Sequence, residues 1–374
     1  MLGRRVLAVL CAAELVLIAV VLVWKRLDGL DLDVYRLGAQ AFFEHGDPYG
    51  VLPPTHDGTR LPFTYPPFAA LAFAPLLTVP LRVSLVALTV VSVLALGAVL
   101  ALCLGRFERR LTVAGPVVLA AQAVALFSEP LRATLGYGQV NVLLMLLVAV
   151  DVLGPLRQRG YLVGLAAAVK LTPLAFVLFF LVRRDFRAAG RAVATFAGCA
   201  LVTWVIAPGA SKEYWTKLVF QGERIGDPGY IGNQSLRGTL ARLGLGQGWW
   251  MLAVVVVLAL TVFAIARARH EVSALLVCAT GALLVSPVSW THHWVWMAPA
   301  ILVLYVRRRW WAAVPLTIVF VVSPVWDFGF WPLRESYVLA GLVLLLLQAF
   351  HHVLDAAGQR GDVARLDRGE HADA

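Results

Sequence analysis

The chain carries three aspartates within six positions, Asp28, Asp31 and Asp33, in a short stretch whose other residues are mostly apolar. This makes the stretch amphipathic and suited to rest on a membrane surface. A carboxylate at such a boundary loses part of its hydration, which raises its pKa and its affinity for a proton. A general base for a sugar hydroxyl needs this property. Solvated loop acids would show the same spacing, and spacing alone does not choose between Asp31 and Asp33.

A pair of adjacent histidines forms the second dense polar cluster. Residues 286–294 read Ser-Pro-Val-Ser-Trp-Thr-His-His-Trp and fall between two apolar segments. No carboxylate or third ligand stands at metal-site spacing, so we expect neither a metal nor a cofactor. Imidazoles at this depth in a membrane are costly unless they have a function. We therefore expect His292 and His293 to bind an acceptor hydroxyl or a phosphate oxygen; the alternative is a buried, hydrogen-bonded histidine among tryptophans.

Buried amides and a lysine interrupt two further apolar segments. Gln139 and Asn141 open one segment, where their amides would need hydrogen-bonding partners. Lys170 and Pro173 lie in the middle of another, where a charge is costly and a proline removes a helix hydrogen bond. Lys170 could reach an anionic lipid headgroup from a break in this helix. In a continuous helix it would be a structural lysine instead.

Two loop motifs complete the set of candidate residues. Asn233-Gln-Ser-Leu-Arg237 offers amides and one arginine, which can grip sugar hydroxyls or a phosphate, although an ordinary loop would read the same. Tyr65 precedes Pro66-Pro67, a pair that fixes φ and begins a helix. We expect substrate contacts from the side chains of Tyr35, Tyr65, Gln139, Asn141, Asn233, Gln234, His292 and His293.

Composition places the chain among all-α polytopic membrane proteins. Hydrophobic residues make up 60% and charged residues 14% of it, whereas a soluble domain has about 25% charged residues. The net charge of +10 comes from short arginine clusters between apolar segments, which is typical of positive-inside loops. Nucleic acid is therefore not an expected partner. The glycine-rich phosphate loop of soluble nucleotide enzymes is also absent from the sequence, so a sugar donor would arrive dissolved in the membrane.

The apolar segments predict a single membrane domain over residues 1–357, followed by a polar cytoplasmic tail at 358–374. Candidate spans occupy residues 6–24, 83–104, 111–128, 138–153, 160–182, 190–207, 248–268, 272–287, 293–306, 310–325 and 336–354.

Charge leaves two layouts open. In one, 66–80 lies in the membrane interface or dips into the membrane and returns, while 160–182 breaks at Lys170 into two short helices that form a V. In the other, 66–80 crosses the membrane and 160–182 is continuous. Each layout gives about twelve spans. Both place the loops 25–65 and 208–247 outside, with the first of them functional.

Six motifs, in order along residues 31–297, carry a resemblance to a known family. They are Asp31-Leu-Asp-Val-Tyr35 with the Gly46-Asp-Pro-Tyr49 turn, Phe63-Thr-Tyr-Pro-Pro67, Gly138-Gln-Val-Asn141, Lys170-Leu-Thr-Pro173, Asn233-Gln-Ser-Leu-Arg237 and Ser286-Pro-Val-Ser-Trp-Thr-His-His293. Together they resemble glycosyltransferase family 87, the actinobacterial polyprenyl-phosphate-mannose-dependent α-1,2-mannosyltransferases with the GT-C fold.

The resemblance implies an inverting transfer of mannose from polyprenyl-phosphate mannose to a hydroxyl of a cell-envelope glycolipid or lipoglycan. It also implies a multi-pass protein of the plasma membrane, in contact with membrane lipid, with its active site on the external (periplasmic) face. The family pattern Asp-x-x-Val-Tyr maps the catalytic base onto Asp31, with Asp33 as the alternative. We expect Lys170 and Arg237 to hold the donor phosphate, since a phosphate leaving group needs cations more than an acid.

A second function remains open at this stage, namely a polytopic transporter or lipid flippase. It would use Lys170 and the His292–His293 pair as charges in a transport cavity. Inverted repeats with paired broken helices would indicate it, whereas the sequence shows one broken segment without a matching partner.

Overall fold

The computed structural model describes residues 2–24 and 27–350, which are dominated by α-helix. The β-pairing within these residues is one isolated antiparallel bridge between Asn233 and Trp290. The predicted tail at 358–374 lies outside the described residues, as do the end of the last predicted span and Lys25 at the start of the first loop.

Eighteen α-helices follow one another along the described residues. They are α1 Leu2–Trp24, α2 Leu30–His45, α3 Pro67–Phe73, α4 Leu81–Leu104, α5 Leu111–Phe127, α6 Glu129–Tyr137, α7 Asn141–Leu153, α8 Tyr161–Val169, α9 Phe176–Val182, α10 Phe186–Ile206, α11 Pro208–Thr216, α12 Leu236–Arg242, α13 Gln247–Arg267, α14 Glu271–Val285, α15 Met297–Val306, α16 Trp310–Val322, α17 Trp331–Arg334 and α18 Ser336–Ala349. Short 3-10 helices cover Ala74–Thr78, Thr172–Ala175, Leu218–Phe220, Gly222–Ile225 and Thr291–Trp296.

Four of these helices are long and apolar enough to cross a membrane: α1, α4, α10 and α13. The pair α5 and α6 makes a fifth candidate if its bend of 74° lies within one span. Six further apolar segments have 10–17 residues each, and helices of this length suit the inside of a bundle or half of a broken span. The described residues therefore form a helical membrane protein, and the total of about twelve spans stays a prediction.

Arginine side chains tie several helix ends together at one end of the bundle, which we call the arginine-rich end. Arg106, after α4, donates to the carbonyl of Leu153 at the end of α7. Arg191 of α10 donates to the Arg159 carbonyl just before α8, at 2.9 Å. These bonds bring the ends of α4 and α7 together, and the beginnings of α8 and α10 together.

Segment 160–182 has the V shape of the first layout. Its beginning lies beside the beginning of α10, as the Arg191–Arg159 bond shows, and Arg183 at its end directly precedes α10. Lys170 lies at the opposite end, where its amine donates to Asn141, the first residue of α7, at 2.9 Å. Because both arms end at the arginine-rich end, this segment does not cross the bundle.

Segment 66–80 also follows the first layout. It forms α3 and a 3-10 helix, and α3 has only seven residues, a rise of about 10 Å. Arg36 of α2 donates to the carbonyls of Leu76 and Val79, which keeps the end of the segment beside α2. The segment therefore dips against α2 and returns before α4 begins.

Gly138 joins α6 to α7 through a backbone conformation that favours glycine. Its φ is +70°, and a Cβ at this position would lie 2.7 Å from the Cβ of Leu32. Leu32 is fully buried on the inner face of α2. Glycine at 138 thus lets the polar residues that follow α6 approach α2 closely.

Gly138→Ala should therefore destabilise the protein by about 1–2 kcal/mol, the cost of a left-handed residue with a Cβ, with a further cost from the contact with Leu32. Gly136→Ala is the matched control, because nothing lies within 4 Å of a Cβ there and the residue is inside α6. Thermal unfolding in detergent should show a lower midpoint for Gly138→Ala only. Equal midpoints for the two variants would contradict this account of the turn.

Candidate active site

A cavity of about 540 Å³ opens at the end of the bundle opposite the arginine-rich end. Distant parts of the sequence supply its polar wall. They are Asp31 and Tyr35 of α2, Tyr65 of the connector between α2 and α3 (residues 46–66), Gln139, Lys170, His292 and His293. The helix α11 and the loop that follows it line another side. Seven of the residues predicted from sequence as base, cation or substrate contacts thus face one space.

Asp31 lines this cavity because of the way in which α2 begins. Gly29, at φ +74°, donates its N–H to the carbonyl of Gly136 at 2.8 Å, which fixes the start of α2 beside the end of α6. Asp31 Oδ2 then accepts a hydrogen bond from Gln139 Nε2 at 2.7 Å. Burial raises the pKa of Asp31 above the ordinary aspartate value, although this hydrogen bond and the charge of Lys170 oppose the rise. A raised pKa suits a proton acceptor.

Asp33 points away from the cavity. It lies two positions after Asp31, and such positions differ in direction by about 200° around a helix. Its carboxylate accepts from the backbone N–H of His56 at 2.8 Å and contacts the His56 ring at 3.1 Å. Asp33 therefore ties the connector to α2, and Asp28 accepts from the Leu30 N–H at the start of the helix.

Tyr35, Tyr65 and Gln139 bond to one another at the cavity wall. The hydroxyl of Tyr35 donates to Gln139 Oε1 at 2.7 Å and lies 2.8 Å from the hydroxyl of Tyr65. The Tyr65 hydroxyl reaches the same amide oxygen at 3.3 Å. The ring of Tyr35 stacks on Phe73 of α3, with centroids 4.3 Å apart. Segment 66–80 thereby supports the wall of the cavity.

Lys170 lies at the apex of the V, and polar side chains contact its amine. It donates to Asn141 Oδ1 at 2.9 Å and lies 3.1 Å from His293 Nε2. The amine also lies over the ring of Tyr65, 5.4 Å from its centroid. An ammonium group can only donate, so His293 accepts at Nε2 and is neutral in this arrangement. Asn141, predicted as a substrate contact, holds Lys170 and lies outside the main cavity.

Two side chains donate hydrogen bonds to the backbone carbonyl of His292, whereas one nitrogen of its ring has no hydrogen-bond partner among the described residues. Its carbonyl accepts from Thr134 Oγ1 at 2.8 Å and from Asn141 Nδ2 at 3.0 Å. Its Nε2 is buried and has no hydrogen-bond partner among the described residues. The residue itself lines the cavity. Tyr137 packs edge-on against the ring from α6.

Asn233 and Gln234, which the sequence analysis predicts as substrate contacts, are bonded within the protein. Both are fully buried. Asn233 accepts from the Ser289 N–H at 3.0 Å, while the side chain of Gln234 donates to the carbonyls of Ile231 and Arg334. Neither lines the cavity. They hold the loop after α11 against residues 286–290, which keeps the histidines in position from outside.

Arg237 also differs from its predicted place. Its guanidinium lies over the ring of Trp250, 5.3 Å from the centroid, and the residue does not line the cavity. Arg224 of the same loop does line it, half-buried on the 3-10 helix Gly222–Ile225. The sequence analysis named Arg237 and not Arg224, because no local sequence signal shows which arginine lines the cavity. It also missed Tyr214, which lines the cavity and stacks on Tyr49.

These groups together suit the transfer of a group from a phosphate to a hydroxyl. Asp31 offers a desolvated carboxylate, Lys170 and Arg224 offer positive charge, and the histidine pair lines the same cavity. Among the described residues, no group of three or more His, Cys, Asp or Glu side chains could hold a metal ion.

Comparison with known proteins gives consistent matches. The sequence model of glycosyltransferase family 87 matches residues 63–287. The chain is 41% identical over 332 residues to a polyprenol-phosphate-mannose-dependent α-(1-2)-phosphatidylinositol mannoside mannosyltransferase of Mycolicibacterium smegmatis, covering 79% of this chain and 75% of the relative. A Mycobacterium tuberculosis protein of the same name is 39% identical over the same shares of the two chains.

A relative whose name includes a pentamannoside is less similar. The polyprenol-phosphate-mannose-dependent α-(1-2)-phosphatidylinositol pentamannoside mannosyltransferase of Mycolicibacterium smegmatis is 35% identical, over 85% of this chain and 82% of its own. No solved structure matches the chain. The family match over more than half of the chain, with relatives of this identity, shows that the protein is a membrane enzyme of glycosyltransferase family 87.

Proposed function

We propose that the protein transfers mannose from polyprenyl-phosphate mannose to a hydroxyl of a phosphatidylinositol mannoside, forming an α-1,2 linkage. The names of the relatives that share 39–41% identity support this donor, acceptor and linkage. The cavity supports it independently, because it combines a carboxylate with two cationic side chains at the end of a membrane bundle. Family membership gives no support to the alternative of a transporter or flippase.

In the proposed reaction Asp31 is the general base. Its carboxylate accepts the proton of the acceptor hydroxyl as that oxygen attacks the anomeric carbon of mannose. The bond between the anomeric carbon and the phosphate oxygen breaks, and the lipid phosphate leaves with the electron pair. Attack on the face opposite the phosphate inverts the anomeric configuration.

Lys170 is the cation placed to hold the donor phosphate. Its ammonium faces the cavity with partners on two sides, Asn141 and His293, neither of which is charged in this arrangement. It can therefore stabilise the negative charge that develops on the leaving oxygen. His292 Nε2, buried and unbonded, is placed to bind a sugar hydroxyl.

The proposed topology is a GT-C-type fold of about twelve spans, with the active site outside the cell. The arginine-rich end faces the cytoplasm by the positive-inside rule, and the cavity lies at the other end of the bundle. Phosphatidylinositol mannoside and the lipid-linked donor would then both reach the cavity from the outer leaflet. Membrane lipids would surround the bundle.

The position of Asp31 in the cavity, with Asp33 bonded to His56 outside it, is the observation that carries the proposal. We expect Asp31→Asn to lower mannose transfer about 100-fold or more, the usual contribution of a general base. Asp33→Asn should retain most of the activity. Transfer of radiolabelled mannose from polyprenyl-phosphate mannose to purified phosphatidylinositol mannosides measures both variants.

The same assay gives the pH dependence. The base acts in its unprotonated form, so the rate should fall as pH decreases through the raised pKa of Asp31. This fall should begin at a higher pH than an exposed aspartate would give, for which the pKa is about 3.9. Near-normal transfer by Asp31→Asn would overturn the mechanism, and loss of transfer by Asp33→Asn alone would move the base to Asp33.

Variants of two arginines, Arg224 on the 3-10 helix Gly222–Ile225 and Arg237 in α12, distinguish a substrate contact from a structural role. Arg224→Gln removes positive charge from the cavity wall, so we expect a several-fold or larger loss of transfer at subsaturating lipid substrates. Arg237→Gln, the matched control, removes the cation over Trp250 and should act on stability more than on the Michaelis constants. Steady-state kinetics with thermal unfolding distinguishes them. The reverse pattern would return the phosphate contact to Arg237.

A further inference from the structure

We propose that Gln139 is a positioning residue that determines which oxygen of Asp31 receives the proton, and that the hydroxyls of Tyr35 and Tyr65 hold its amide in the required orientation. This inference rests on the proposed function, in which Asp31 is the base. It changes the role expected for these three residues, since they were predicted from sequence as contacts to substrate.

Both ends of the Gln139 amide are already engaged within the protein. Nε2 donates to Asp31 Oδ2 at 2.7 Å, and Oε1 accepts from the Tyr35 hydroxyl at 2.7 Å. The Tyr65 hydroxyl lies 3.3 Å from the same Oε1 and 2.8 Å from the Tyr35 hydroxyl. Gln139 is only 5% exposed and Tyr35 only 1%. This amide therefore has little free capacity to bind a sugar.

The two phenols determine the direction in which the amide points. A flipped amide would place its oxygen where Nε2 now lies, 2.7 Å from a carboxylate oxygen of Asp31, and the two acceptors would repel each other. It would also remove the acceptor for the phenol protons, a costly loss at a buried site. The N–H therefore faces Asp31 and the oxygen faces the phenols.

This orientation leaves the two oxygens of Asp31 unequal. Oδ2 is occupied by the Gln139 N–H, whereas Oδ1 has no hydrogen-bond partner among the described residues. In the transfer step the acceptor proton passes to Oδ1, the acceptor oxygen bonds to the anomeric carbon, and the phosphate leaves with the electrons of the broken bond. Gln139 continues to donate to Oδ2 in the protonated acid, so it needs no rearrangement during the step.

The Gln139 N–H also opposes the rise in the pKa of Asp31 that burial causes. Two charged groups also act on this carboxylate: Lys170 lowers its pKa and Asp28 raises it. The charge of Asp31 in turn raises the pKa of three phenols, those of Tyr35, Tyr65 and Tyr137. All of these groups stay in place in a Gln139 variant, so a shift of the acidic limb would report the lost N–H.

The test compares the pH dependence of kcat in three variants of the full-length enzyme. Gln139→Leu removes the N–H and should move the acidic limb up by about 1–2 pH units, the value of a hydrogen bond to a charged group. Tyr35→Phe combined with Tyr65→Phe keeps both rings but releases the amide, so the limb should move in the same direction by less. Gln122→Leu is the matched control: this glutamine is also fully buried, but it bonds to Glu14 and Val93 in α1 and α4.

An acidic limb that stays in place in Gln139→Leu, with a raised Michaelis constant instead, would show that Gln139 binds substrate and would overturn the inference. The same limb shift in Gln122→Leu would show a general packing effect and would also overturn it. Failure of the proposed function gives a different result, because Asp31→Asn would then retain activity. If that variant is inactive and the limb does not move in Gln139→Leu, only the role of Gln139 is lost.

Discussion

The ammonium of Lys170 is the constraint on which the arrangement of the site depends. A charge inside a membrane bundle is costly unless polar groups surround it, and Lys170 finds them in Asn141 and His293. This requirement brings the apex of segment 160–182, the start of α7 and the 3-10 helix Thr291–Trp296 to one place. Asn141 then also holds the carbonyl of His292. A single charged group thereby fixes three elements that are far apart in sequence.

Much of the membrane architecture could be predicted from sequence because the physical signals are local. The low fraction of charged residues indicated a membrane bundle. The arginine clusters indicated which loops lie together at one end of it. The cost of Lys170 and Pro173 inside a helix made a break there one of two layouts that the sequence allowed. Sequence left open whether 160–182 crosses the bundle, since both layouts satisfied the charge pattern. A tertiary hydrogen bond decides it, because the Arg191 side chain donates to the Arg159 backbone carbonyl and joins the beginnings of α8 and α10.

The residues named from sequence that line the cavity lie mostly beside helix breaks, whereas Asn233, Gln234 and Arg237 of the 208–247 region do not line it. Asp31, Gln139 and Lys170 each adjoin a helix terminus that faces the cavity. Within the loop 208–247, motif matching favoured Asn233, Gln234 and Arg237, which instead hold the loop or stack on Trp250. The inward direction of Arg224 depends on how a 3-10 helix packs over the cavity. That packing is a tertiary property without a local sequence signal.

The central claim is that Asp31, Lys170 and the histidine pair share one cavity that receives the lipid-linked sugar. A cryo-electron microscopy structure in lipid nanodiscs with a non-transferable phosphonate analogue of polyprenyl-phosphate mannose tests it most directly. We expect the phosphonate within hydrogen-bonding distance of Lys170 Nζ and the anomeric carbon open to attack from the side of Asp31. An analogue seated with its phosphonate away from this cavity, for example in the apolar groove between α5, α15 and α16, would contradict the account.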